Sequence, residues 1–196
     1  YSRDDVREAL ELLQPLPYDA RTTILDGVDI ALRDAGHILG SASVELWADG
    51  RKLVFSGDLG PRGTPILRDP TPIREADRLL MESTYGDRNH RERSATIHEL
   101  GDILDAAWRD GGNVLIPAFA VGRSQELLYW FARHWDDWNL ARWQIFLGSP
   151  MAGKVVKVYE RHHGLFDAEA RETWRGTPNP FRLPNLHITE SADESM

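Results

Sequence analysis

Three titratable residues of this 196-residue chain stand in the same kind of place: each lies in a glycine-bearing loop beside an apolar run. His37 sits in Ala35-Gly-His-Ile-Leu-Gly-Ser-Ala42, just before Val44-Glu45-Leu46-Trp47. Asp58 sits in Ser56-Gly-Asp-Leu-Gly60, just after Leu53-Val54-Phe55. Glu82 follows the apolar stretch Arg78-Leu-Leu-Met81 and opens Glu82-Ser-Thr-Tyr-Gly-Asp-Arg88. The runs next to His37 and Asp58 flank Asp49-Gly50, the strongest short-range hairpin signal. Antiparallel pairing through that turn carries His37 and Asp58 to one edge of a sheet. An imidazole and a carboxylate there make a pair of metal ligands. The surrounding glycines let the backbone turn tightly and approach a ligand closely. Each residue alone also has a plain reading. A histidine before a strand is more often structural, Gly-Asp-Leu-Gly is commonly just a turn, and Glu82 can cap the loop that Ser83 and Thr84 begin. Together, at one type of position, they point to the rim of an α/β sheet, where sites form.

The elements that must position them can be read from periodicity. Ser2 suits a helix N-cap, with Asp4 and Asp5 in the first turn and Val6, Ala9, Leu10 and Leu13 at helical spacing. Pro15 and Pro17 end that helix. Residues 21–25 and 28–33 read as short strands around Asp26-Gly27, and the hairpin follows. A proline-rich, charged connection runs from Pro61 to Pro72. Beyond it the pattern changes. Thr96-Ile-His-Glu99 reads as a capping box opening a helix to about Trp108, stopped by Gly111-Gly112. Asn113 to Pro117 reads as a short buried strand, and Gly122 to His134 as a helix with Leu127, Leu128 and Phe131 on one face. Gln144 to Leu147 is a strand, Pro150 to His162 a helix, Asp167 to Trp174 a further helical piece, and Leu186 to Thr189 a last strand. Such alternation implies a mostly parallel sheet flanked by helices. The expected boundary falls near residue 90, between an antiparallel α/β part (1–90) and a doubly wound part (91–196). Ser191 to Met196 does not read as a natural domain end.

Composition narrows the classes. With 41% hydrophobic and 28% charged residues the chain is of ordinary globular type. No apolar run approaches the length of a membrane span, and no signal peptide is visible. The absence of cysteine excludes disulfides and thiolate metal sites, and fits a reducing cytoplasm. A net charge of −8 favours no nucleic acid as a whole, so any polyanion site must be a local patch. Arginines cluster at Arg62 and Arg68, at Arg88, Arg91 and Arg93, and at Arg123, where a solvated loop surface is an equal reading. His162-His163 ends a helix, where a favourable interaction with the C-terminal dipole is expected. Trp108, Trp130, Trp135, Trp138 and Trp143 are expected mainly in packing, with one of them open to stacking a base.

Four blocks in order, Ala35-Gly-His-Ile-Leu-Gly-Ser-Ala42, Ser56-Gly-Asp-Leu-Gly60, Met81-Glu-Ser-Thr-Tyr-Gly-Asp-Arg88 and Pro117-Ala-Phe-Ala-Val-Gly-Arg123, resemble the β-CASP branch of the metallo-β-lactamase superfamily. Within it they are most similar to the RNA-processing members related to the cleavage and polyadenylation endonuclease subunit. The likeness extends to Ser149-Pro-Met-Ala152 and Asn179-Pro-Phe181. The resemblance implies part of an αββα lactamase-like domain over 1–90 and part of a β-CASP domain over 91–196. It implies that His37 binds one zinc, that Asp58 bridges two, and that Glu82 orients a histidine acting as general acid. Glu82 and Asp58 would thus be the catalytic residues. Arg123, with Ser124 and Arg88, is the expected RNA phosphate contact, since Arg123 opens a helix after a glycine.

The superfamily's His-x-His-x-Asp-His motif is not in this sequence, and the family's later motifs fall beyond residue 196. The chain by itself is therefore expected to bind zinc weakly and to be inactive. The leading expectation for the parent protein is a zinc-dependent ribonuclease cutting single-stranded RNA in the cytoplasm, with no membrane partner and a homo-oligomer left open. The alternatives are a catalytically inactive RNA-binding scaffold and a DNA-directed β-CASP nuclease.

Overall fold

The computed structural model describes residues 1–176 and 178–191. Residues 192–196, most of the terminal stretch noted above, lie outside them.

Helix α1 (Arg3–Glu11) starts on the expected cap. Ser2 Oγ accepts from Asp5 N, and the Asp5 carboxylate accepts from Ser2 N at 2.5 Å. Five strands then form one sheet in sequence order: β1 (Thr22–Leu25), β2 (Val28–Asp34), β3 (Ala42–Ala48), β4 (Arg51–Phe55) and β5 (Arg78–Leu80). The first four pair antiparallel, and β5 joins β4 in parallel. Asp49 and Gly50 both have positive φ, as a tight hairpin turn requires, and they pair Ala48 with Arg51. Alternation along β3 buries Ser43 and Glu45 on one face. Arg33 (2.5 Å) and Lys52 both form ion pairs with the Glu45 carboxylate, so the burial is compensated.

The second half is built on helices: α2 (Arg93–Arg109), α3 (Arg123–Arg133), α4 (Pro150–Arg161) and α5 (Ala168–Arg175), with short 3₁₀ turns at Leu140–Arg142 and His163–Leu165. Ser149 and Asp167 cap α4 and α5 through their side chains. Strands β6 (Ile145–Leu147) and β7 (Leu186–Ile188) pair in parallel. The core gathers Leu104, Leu128, Tyr129, Phe131, Val156, Tyr159, Phe166 and Phe181. Four of the tryptophans singled out above, Trp130, Trp135, Trp138 and Trp143, pack against it. Ile66, from the connection between the halves, is buried in the same core.

Three expectations change. The mostly parallel sheet expected over 91–196 is reduced, among the described residues, to the single parallel pair of β6 and β7, while the larger, mainly antiparallel sheet lies in the part read as antiparallel. The strand expected over 113–117 is irregular chain, with Leu115 92% exposed. An apolar run marks a buried strand only where a neighbouring strand takes up its backbone groups. Helix α2 begins at Arg93 rather than at a Thr96 cap; Thr96 Oγ1 instead donates to Glu92 O within the first turn. The Arg93 guanidinium donates to Gly63 O and Thr64 Oγ1, and these contacts extend the helix beyond its local signal.

Candidate active site

The ends of β3, β4 and β5 lie side by side, and hydroxyls stitch the loops that leave them. Ser43 Oγ donates to Ser56 O at 2.7 Å, Ser56 N donates to Leu80 O at 2.9 Å, and Glu82 N donates to Ser56 Oγ at 3.0 Å. The His37 and Asp58 loops meet through bare backbone. Gly60 N donates to Ala35 O at 2.9 Å, and a Cβ on Gly60 would overlap the Gly36 carbonyl. Gly36 itself has φ +62, and a Cβ there would press to 2.8 Å from Arg68 O and Pro70 Cδ. Only glycine serves at either position.

On this rim His37 Nε2 stands 3.8 Å from Asp58 Oδ2, with side chains 42% and 75% exposed. Ser41 Oγ accepts from both His37 N and Ile38 N and so fixes the loop beneath the imidazole. Glu82 Oε1 accepts from Leu59 N at 2.5 Å. Its carboxylate therefore holds the backbone beside Asp58; it does not cap the loop that Ser83 and Thr84 begin. Among the described residues no histidine is hydrogen-bonded to Glu82. The structure thus brings His37, Asp58 and Glu82 to one lip.

The donor chemistry fits a metal in part. An imidazole nitrogen and a carboxylate oxygen that share a tetrahedral zinc at bonds of about 2.0–2.2 Å lie about 3.3–3.5 Å apart. The observed separation is close to this, and both groups are open to solvent. Among the described residues no group of three or more His, Cys, Asp or Glu gathers to hold an ion. The pair can supply two ligands of a coordination sphere and no more.

The helical half meets the lip at α3. Gly122, with φ +85, precedes the helix, and a Cβ there would stand 3.2 Å from Ile38 Cγ2, so the N-terminus of α3 abuts the His37 loop. Sequence reasoning passed over Gln125, which is fully buried. Its Oε1 accepts from Gly122 N at 2.8 Å and its Nε2 donates to Ala120 O at 3.1 Å, locking the turn. A glutamine three residues after a turn glycine was the available signal. Arg123 pairs with Glu126 at 2.6 Å on the exposed side. Ser124 is buried, its hydroxyl donating to Phe119 O at 2.7 Å. Tyr159 Oη accepts from Leu39 N, and burial pushes its phenol pKa up.

The loop after Glu82 carries a second feature. Tyr85 has φ +58, a left-handed conformation that costs a non-glycine residue about 1 kcal/mol or more. Its residue surface is 51% exposed. The His90 ring lies 4.4 Å away, centroid to centroid, and the Arg88 guanidinium 5.2 Å from the Tyr85 ring. His162 closes α4, and His163, in the 3₁₀ turn that follows, stacks on Trp174.

Comparison with known proteins follows the same lines. Residues 124–196 match the Beta-Casp domain. Over 195 residues the chain is 42% identical to Ribonuclease TTHA0252 of Thermus thermophilus, covering all of this chain and 44% of that protein. The chain is thus similar over its whole length to a protein named a ribonuclease, and over residues 124–196 to the Beta-Casp domain. It is also 37% identical over 204 residues to an RNase J-like protein of Methanocaldococcus jannaschii, covering all of this chain and 46% of the relative. With Endoribonuclease YSH1 of Eremothecium gossypii it shares 27% identity over 201 residues, 99% of this chain and 26% of the relative. The chain thus spans less than half the length of these curated relatives. No helix among the described residues is long and apolar enough to cross a membrane.

Proposed function

We propose that this chain is of the β-CASP family and carries part of the active site of a zinc-dependent ribonuclease that hydrolyses single-stranded RNA in the cytoplasm. Residues 1–90 would be its lactamase-like part and 91–196 its β-CASP part. The observation that carries the reading is the lip itself. His37 and Asp58 stand 3.8 Å apart and solvent-facing, and Glu82 is tied to the backbone N–H directly after Asp58. The names of the relatives, ribonuclease and endoribonuclease, point to the same class of reaction. When bound, a zinc pair supplies a water ionised near neutral pH and charge to offset the phosphoryl oxygens.

In this reading His37 and Asp58 are ligands contributed by the chain. Glu82 is a positioning residue: by holding Leu59 N it fixes where the Asp58 carboxylate points. The exposed Arg123 at the head of α3 and Arg88 in the Glu82 loop would face the RNA phosphates. Ser124 lies beneath that surface, and its buried hydroxyl would support the turn from which Arg123 projects.

The test is cleavage of labelled single-stranded RNA by the full-length protein, wild type against Asp58→Ala, with zinc content measured in both. Loss of cleavage together with loss of zinc is expected when a metal ligand of this kind is removed. Equal rates would end the metal-nuclease reading. Glu82→Gln keeps an acceptor for Leu59 N, so cleavage should slow while zinc content holds.

A further inference from the structure

The loop that leaves the lip after Glu82 bears an aromatic group that neither the ligand pair nor the fold uses. Tyr85 lies three residues beyond Glu82, held in the left-handed region, with half of its surface open. The turn that holds it is closed by its neighbours: Gly86 N donates to Ser83 O at 3.0 Å and Arg88 N to Tyr85 O at 3.3 Å. Burial does not account for the strain, because Tyr85 is absent from the hydrophobic core. A strained, exposed side chain in the loop that leaves the proposed site calls for a role outside folding.

Its surroundings supply one. His90 packs at 4.4 Å and a tilt of 55°, and the Arg88 guanidinium lies 5.2 Å from the ring. Two aromatic rings and a delocalised cation at one place make a stacking surface with a positive rim. Among the described residues Arg88 has only its chain neighbour Asp87 as an ion partner, at 3.8 Å, whereas Arg91 is paired with Glu99 and Arg93 is spent on Gly63 and Thr64. Unpaired bases stack on aromatic side chains and on guanidinium planes regardless of sequence, while a nearby cation serves the phosphate. A duplex cannot offer such a base face without unstacking it.

We propose that Tyr85, backed by His90 and Arg88, is a stacking platform for one unpaired base of the RNA strand next to the position cut at the His37–Asp58 lip. The proposal rests on the ribonuclease reading given above. Through this platform the protein would favour unpaired strands without reading their sequence.

The left-handed backbone makes a clean test available. Asparagine tolerates that conformation and lacks the ring, whereas phenylalanine keeps the ring and lacks only the hydroxyl. Fluorescence anisotropy would follow binding of the full-length protein to a labelled single-stranded RNA, and to the same strand carrying abasic nucleotides, with cleavage suppressed by chelator. Tyr85→Phe should bind the intact strand within about twofold of wild type. Tyr85→Asn should bind it about tenfold more weakly, the size expected for one lost base stack. Loss of the bases should weaken wild type and Tyr85→Phe, and weaken Tyr85→Asn distinctly less. A merely structural role for Tyr85 gives no such coupling between ring and base. Wild-type affinity in Tyr85→Asn, or equal losses on the abasic strand in all three proteins, overturns the platform and leaves the ribonuclease reading standing. A wild-type protein that neither binds nor cuts single-stranded RNA overturns both.

Discussion

Glu45 puts a full carboxylate inside the larger sheet, and its partners decide the outcome. Burial pushes its pKa up, but the hydrogen bonds and charges of Lys52 and Arg33 outweigh that and hold it below the ordinary value of 4.5. A carboxyl depressed in this way adds stability that is complete above its unfolded pKa and is lost as the pH falls through the folded one. The contribution is therefore present at neutral pH and fades below about pH 4.5. Glu45→Gln should lower stability at pH 7 by about 1–3 kcal/mol in urea unfolding, less than for a fully buried pair because Arg33 and Lys52 are partly exposed. The gap between variant and wild type should narrow steadily in acid. A constant gap across the acid range would mean that packing, not charge, is what the substitution removes.

Among the elements, the glycine loops separate two causes that look alike in a sequence. Gly50 has φ +72 and open space around its Cα, so Gly50→Ala should cost only the backbone strain, about 1 kcal/mol. Gly60 needs no unusual φ, yet a Cβ there would overlap the Gly36 backbone, so Gly60→Ala should cost more, about 2–4 kcal/mol, and should distort the lip. Thermal or denaturant unfolding of the two variants checks the order. The Asp49-Gly50 turn was legible because its signal is local: two residues fix the hairpin and hence the approach of His37 to Asp58. Gly36 and Gly60 were noticed as glycines, but their contact with each other joins positions 24 residues apart in the chain, and no local pattern carries that. The same holds for Glu82, whose carboxylate reaches Leu59 rather than its own loop. Val114-Leu115-Ile116 has a strand's composition without a strand's neighbours, so composition misled there. Tyr85 stood in plain view within a quoted motif, but its φ and its company could not be read from letters.

At the scale of the whole molecule, the lip offers two of the ligands proposed above where a zinc centre needs about four. Calorimetric titration of this chain with zinc should show weak binding at most, with Asp58→Ala abolishing the heat that His37 and Asp58 produce together; two tight sites would contradict the proposed sharing of ligands. The two halves, meanwhile, are fastened by the segment between them. Ile66 sits with φ +75 among the core side chains of the helical half, and its carbonyl accepts from Asp167 N at 3.0 Å. Arg68 reaches Gly164 O, and the backbone from Arg68 to Pro70 presses against Gly36 beneath the His37 loop. If the molecule ever parts to admit a strand, this ribbon must either surrender its isoleucine to water or travel with the helices. The second course costs less, which would place the pivot where the chain from Arg68 to Pro70 meets Gly36, the residue before His37. Any such breathing would then reach the His37 loop through Gly36, where the backbone leaves no room for a side chain.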